Sequence, residues 1–215
     1  KVLLIDTDPQ GNATSGLGIE AHTDKSVYNV LVDDMEISET IVPTMVKKLD
    51  VCPANINLAG AEIELVSMVS RENRLKDAID KVRDLYDYIL IDCPPSLGLI
   101  TLNAFTASDS VLVPIQCEYY ALEGLGQLIN TIKLVQKRLN TDLIVEGVIL
   151  TMFDARTNLS TQVAREVEKF NNGIFIELKP NLVGLADYKK NIQYGQKVEV
   201  YVKKIIPEKK KIKLK

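Results

Sequence analysis

The chain reads as an α/β protein built on a mostly parallel sheet with flanking helices, and three observations predict this. Apolar runs recur at strand length, foremost Val2-Leu3-Leu4-Ile5-Asp6 and Tyr88-Ile89-Leu90-Ile91-Asp92; near-continuous apolar strands belong to parallel sheets covered on both faces. Helix-patterned stretches alternate with them, as in βαβ units. Both runs end in an aspartate and break into polar or Pro-rich loops, Thr7-Asp8-Pro9-Gln10-Gly11-Asn12 and Cys93-Pro94-Pro95-Ser96. Carboxylates therefore stand at the C-terminal sheet edge, where open α/β sheets bind ligands, and paired acids there suit Mg²⁺ and phosphate chemistry.

Strands are expected near residues 1–6, 49–52, 87–92, 110–114 and 143–150, each a short apolar run bounded by turn residues. Helices are expected over 26–32, 58–69, 71–85, 99–107 and 121–139. The last is the clearest, with Leu122, Leu125, Leu128, Ile129, Ile132, Val135 and Leu139 on one face. Lys133, Lys137 and Arg138 stand in its closing turns, where cations oppose the helix dipole. A further helix over 160–170 would open at Ser160, although its Ser-x-x-Val start lacks the acidic partner of a capping box.

At 215 residues and 46% apolar content, the chain can bury one substantial core with a small appendage. No 18-residue apolar stretch and no secretory pattern is present, so a cytoplasmic protein is expected. Cys52, Cys93 and Cys117 lack C-x-x-C spacing and His22 is the sole histidine, which argues against a Cys/His zinc site, a disulfide framework or a Ser-His-Asp triad.

Charge divides the chain. Residues 171–215 hold 11 Lys, no Arg and 4 acids, leaving 15 basic against 25 acidic groups in residues 1–170. Such asymmetry suggests an acidic body joined to a basic segment able to approach a polyanion, although a solvated Lys-rich edge strand gives the same pattern. In that segment, Lys197–Lys203 and Lys211–Lys215 alternate as two strands joined by a turn at Pro207-Glu208.

The segments V-L-L-I-D-T-D-P-Q-G-N-A-T-S-G-L-G, Y-D-Y-I-L-I-D-C-P-P-S-L-G, V-P-I-Q-C-E-Y-Y-A-L-E-G-L and G-V-I-L-T-M-F-D-A-R-T-N-L-S, in this order, resemble the ParA/Soj branch of the deviant Walker ATPases that segregate chromosomes and plasmids. The resemblance covers residues 1–170 and implies a P-loop NTPase-like core. Residues 171–215 resemble instead the C-terminal half of the RNA-binding OB module repeated in the largest small-subunit ribosomal protein, which suggests a fusion near residue 170. Phe175, Tyr188 and Tyr201 could stack on bases, but the segment supplies about three of the five strands such a barrel needs.

The resemblance implies ATP and Mg²⁺ as cofactors. Asp92 takes the role of gripping a metal-bound water, Asp6 lies close to the metal shell, and Asp8 orients or activates the hydrolytic water. Gln10 belongs to a switch-like loop with Gly11 and Asn12. Gln116 and Glu118 approach the nucleotide or a dimer partner, and Thr151 and Met152 approach the base. The phosphate-binding half is not in these residues, since no G-x-x-x-x-G-K-[ST] occurs among them. The family implies a nucleoid-associated ATPase that dimerises on ATP, coats DNA non-specifically and is stimulated by a ParB-like centromere-binding protein. Two other readings stand beside it: a non-catalytic chimera that binds nucleic acid, RNA included, through residues 171–215, and a MinD-like membrane-targeting relative, for which no amphipathic C-terminal membrane helix is visible.

Overall fold

The computed structural model describes residues 1–20, 24–118 and 121–171, and beyond them the strand residues 173–179, 182–187, 202–206 and 211–214. His22, Tyr188, Tyr201 and the turn at Pro207-Glu208 lie outside the described residues. Two compact units emerge, Lys1–Asp109 with Leu134–Asp142, and Ser110–Lys133 with Leu143–Lys215. A mostly parallel sheet with flanking helices, of the P-loop NTPase-like kind, is the architecture.

In the first unit β1 (Val2–Asp6) lies between β3 (Leu49–Cys52) and β4 (Tyr88–Asp92), parallel to both, and the two-residue β2 (Val42–Pro43) adds antiparallel to β3. Leu3 and Ile5 are fully buried, as a central strand requires. They pack with Val27, Leu31, Leu58, Leu75 and Ile100 from α2 (Val27–Val32), α3 (Leu58–Leu65), α4 (Arg74–Asp80) and α5 (Leu99–Ala107). β4 borders this sheet, and its Leu90 is 56% exposed.

Two helices expected from periodicity are shorter than the pattern suggests. The stretch 58–69 is α-helical only to Leu65, and Ile63, Val66 and Val69 face solvent. The stretch 71–85 begins at Arg74, because Ser70 turns into the left-handed region (φ 53) and the Asn103 side chain caps the Leu75 amide at 3.1 Å; it ends at Asp80, followed by a 3₁₀ turn at Arg83–Leu85. Buried Asn103 also donates to the carbonyls of Arg71 and Leu99, so one amide side chain ties the entry of α4 to α5.

In the second unit β5 (Ser110–Gln116) runs parallel to β6 (Ile144–Thr151), and β8 (Leu182–Asp187) and β7 (Gly173–Lys179) extend the sheet antiparallel from β6. Part of the segment after residue 170 thus adds strands to this sheet. β9 (Val202–Ile206) and β10 (Lys211–Leu214) pair antiparallel, as the two alternating segments were expected to, with the first strand several residues later than the alternation suggested. On α6 (Ala121–Arg138), whose residues from Leu134 on belong to the first unit, Leu125, Ile132 and Val135 are buried and Leu128 and Ile129 partly so, as the stripe predicted; Leu122 lies outside the described side chains. α7 (Asn158–Asn171) starts earlier than Ser160: the Thr157 hydroxyl caps it by accepting the Ser160 amide at 3.3 Å, and Ser160 is a buried first-turn residue.

Candidate functional site

β1 and β4 are parallel and in register, so Asp6 and Asp92 are paired at the strand tips. Adjacent strands lie about 4.8 Å apart, which brings the two carboxylates to the same edge. Thr7 locks this pairing, since its amide and its hydroxyl both donate to the Asp92 carbonyl, at 2.9 and 2.6 Å. The two acids nonetheless have opposite surroundings. Asp6 is fully buried: its Oδ1 accepts the Asp8 amide at 3.1 Å, and its Oδ2 accepts the Thr14 amide and hydroxyl at 2.8 and 2.7 Å. Asp92 is exposed, and its carboxylate has no hydrogen-bond or ion-pair partner among the described residues.

The loop after β1 is built from local bonds. Asp8 Oδ1 accepts the Gln10 amide at 2.9 Å, an Asx turn, and the Asp8 carbonyl accepts the Gly11 amide at 2.9 Å. Gly11 then adopts φ 62, a left-handed conformation that glycine enters without steric cost. The chain continues as the short helix α1 (Asn12–Gly16), where the sequence suggested only loop. Asp8 is half-buried, with Oδ2 free of bonds among the described residues, and Gln10 is exposed.

The electrostatics follow from three carboxylates at one edge. Partial dehydration of its carboxyl, then the charges of Asp6 and Asp8, hold the Asp92 pKa above the ordinary aspartate value. Next to it, burial and then the Asp92 charge push the Cys93 thiol up to about 11 against the opposing bond to Thr7, so Cys93 is no nucleophile at neutral pH. A raised carboxyl pKa adds stability below the unfolded value and loses it as pH rises through the folded value, so ionised Asp92 costs stability at pH 7. Asp92→Asn is accordingly expected to stabilise the first unit by about 0.5 kcal/mol after solvent screening. Urea unfolding should show this gain at pH 7 and its disappearance near pH 3.

The second unit collects the remaining sequence-assigned positions. Gln116 pairs with Thr151 across β5 and β6, and the Gln116 amide nitrogen reaches Met152 Sδ at 3.7 Å. Thr151 Oγ1 donates to the Ile115 carbonyl at 3.3 Å, and the Glu118 amide to the Gln116 carbonyl at 2.9 Å, leaving the Glu118 side chain exposed. Met152 has φ 53 and is 70% exposed. Such backbone strain in a non-glycine residue persists where surroundings over-determine it, commonly at functional sites. In the following loop Arg156 clamps Asp154 through both carboxylate oxygens, at 3.0 and 2.8 Å, which pulls the Asp154 pKa down to about 2. Gln116, Thr151 and Met152 thus come together, as do Asp6, Asp8 and Asp92 in the first unit.

Sequence reasoning missed Thr7 and Thr14. Neither has a spacing signature; the only available signal was that a carboxylate at the end of a buried strand needs donors.

Residues 1–145 match a family model described as an AAA domain. The sporulation initiation inhibitor protein Soj of Bacillus subtilis is 62% identical over 189 residues, spanning 87% of this chain and 75% of the relative. The chromosome partitioning protein ParA of Myxococcus xanthus is 52% identical over 189 residues, spanning 87% and 67%. A crystal structure of cobyrinic acid a,c-diamide synthase from Mycobacterium smegmatis, with bound ATP analogue and magnesium, superposes with a TM-score of 0.74 at 44% identity, covering 79% of this chain and 69% of that one. With paired acids at the tips of two parallel strands and relatives of this identity and coverage, the chain belongs to the ParA/Soj family of partitioning ATPases.

Proposed function

We propose that the chain is the core of an ATP-hydrolysing partitioning protein in which Asp8, Asp92 and Asp6 serve a Mg·ATP site. The observation that carries this is the in-register Asp6/Asp92 pair, with an exposed, unpartnered Asp92 carboxylate whose ionisation is opposed by its neighbours. A site so charged fits a divalent cation; Mg²⁺ is commonly held by one or two carboxylates, waters and substrate phosphates, so no dedicated cage is needed. Among the described residues no cluster of three or more His, Cys, Asp or Glu forms such a cage. When bound, Mg²⁺ neutralises phosphate charge.

Asp92, exposed at the tip of β4, would hold the cation, and Asp6 beside it would add negative charge. Asp8, whose free Oδ2 leaves an acceptor, orients the attacking water and takes up its proton. Gln10 lines the same loop, while Gln116, Glu118, Thr151 and Met152 approach the nucleotide. The assembled function includes ATP-dependent homodimerisation, non-specific DNA binding in the nucleoid, and stimulation by a ParB-like partner; residues 1–170 form the ATPase core and 171–215 an appended Lys-rich segment.

Titration calorimetry with Mg·ATP tests the reading, on this chain and on one carrying the family's N-terminal strand and phosphate loop. We expect the extended form to bind and residues 1–215 alone to bind at least tenfold more weakly, because Asp6, Asp8 and Asp92 then meet Mg·ATP without the lysine and backbone amides of a phosphate loop. Absence of binding by both forms overturns it.

A second reading rests on the 11 lysines of residues 171–215, which could carry nucleic acid, including RNA, without catalysis. Binding through them should survive Asp8→Ala and Asp92→Ala. It should also fall steeply with salt, with a log–log slope of about −0.7 to −0.9 per phosphate contacted. Filter binding that is unchanged by deleting 171–215 rules it out.

A further inference from the structure

We propose that Thr14 is a positioning residue for Asp8, acting through the Asp6 carboxylate; this rests on the role of Asp8 proposed above. The direction of every bond in the cluster is determined. The Ala54 amide can only donate, so at 3.0 Å the Thr14 hydroxyl accepts from it. A hydroxyl has one proton, and Thr14 gives it to Asp6 Oδ2 at 2.7 Å. The Thr14 amide donates to the same oxygen at 2.8 Å, and the Asp8 amide to Oδ1 at 3.1 Å. One carboxylate therefore staples residue 8 to residue 14 and closes the loop that turns at Gly11. The Ala54 bond fastens that closed loop to the connection between β3 and α3.

Burial makes the staple stiff. Asp6, Thr14 and Ala54 are all fully buried, so water does not substitute for a broken bond. Among the described residues the Asp8 side chain, by contrast, is anchored only by the Gln10 amide, a neighbour within its own loop. Its placement over a substrate is thus inherited from the staple. Effective catalysis requires the reacting groups to be held within a few tenths of an ångström of their productive geometry, and displacement by about 1 Å costs on the order of 10²-fold.

Thr14→Val keeps the shape and removes both hydroxyl bonds, whereas Thr14→Ser keeps them. By NMR amide exchange on residues 1–215, the valine variant should raise exchange at Ala54 and at residues 10–14 by about tenfold, the worth of one hydrogen bond, while the serine variant stays near wild type. In the extended, ATP-hydrolysing form, Thr14→Val should lower kcat by about 10- to 100-fold with KM within about twofold, and Thr14→Ser should restore it. Should the valine variant not fold, Thr14→Cys, with a weak donor of similar size, takes its place with intermediate losses expected. Unchanged exchange at Ala54, or unchanged kcat in Thr14→Val while Asp8→Ala abolishes turnover, overturns the role of Thr14 and leaves the site reading standing. Turnover that survives Asp8→Ala overturns the site reading and this role with it.

Discussion

In the extended chain, Asp8→Ala is expected to lower kcat for ATP hydrolysis by about 10²- to 10⁴-fold, the usual contribution of a positioned general base. The loss should fall on kcat rather than KM, because Asp8 is proposed to meet the water and not the phosphates. Two features make this variant clean. The Gly11 amide bonds to the Asp8 carbonyl, which alanine retains, and the Asp8 amide still donates to Asp6. Only the Asx turn to Gln10 is lost, at a cost of about 1 kcal/mol, so the loop should keep its course. Steady-state turnover with a circular-dichroism check on folding decides it. A kcat within twofold of the parent would remove Asp8 from the chemistry.

Ile5→Ala should destabilise the first unit by about 2–5 kcal/mol, the range for emptying a fully buried aliphatic site. Ile5 sits in register with Cys52 on one side and Ile91 on the other, so the cavity is walled by two strands and cannot readily collapse. Urea denaturation should show a lower midpoint with an unchanged slope. Because Asp6 is the next residue, the same variant should also loosen the sheet edge that carries Asp6 and Asp92. Leu90→Ala is the matching control: that side chain is largely exposed and should cost well under about 1 kcal/mol.

The strands were the most legible part of the sequence because their evidence is local. Five residues such as Val2–Asp6 carry both the apolar run and its terminal acid, and the five strands expected before residue 152 agree with the observed ones to within about two residues, whereas the strand expected at Lys197–Lys203 is found at Val202–Ile206. Residues 58–69 were harder, since Ile63, Val66 and Val69 look like core at helical spacing yet face solvent. The sequence could not show that α3 buries Leu58, Ala61 and Leu65 instead. Within the site, the register of Asp6 with Asp92 was foreseeable from two similar strands, whereas the bonds from Thr14 were not. They close over eight residues of loop and reach Ala54, 40 positions away, and no periodicity marks such a link. α1 escaped notice for a related reason: five residues without an apolar stripe carry no helical signal.

The position of β4 at the border of its sheet has a consequence for handling the molecule. Its outward row of backbone donors and acceptors meets no other strand among the described residues, and Leu90 stands exposed along it. An open border with an exposed leucine on its strand is a template for the addition of further chains. The apparent molar mass from light scattering should therefore rise with protein concentration, and Leu90→Lys should suppress that rise by making edge-to-edge stacking repulsive.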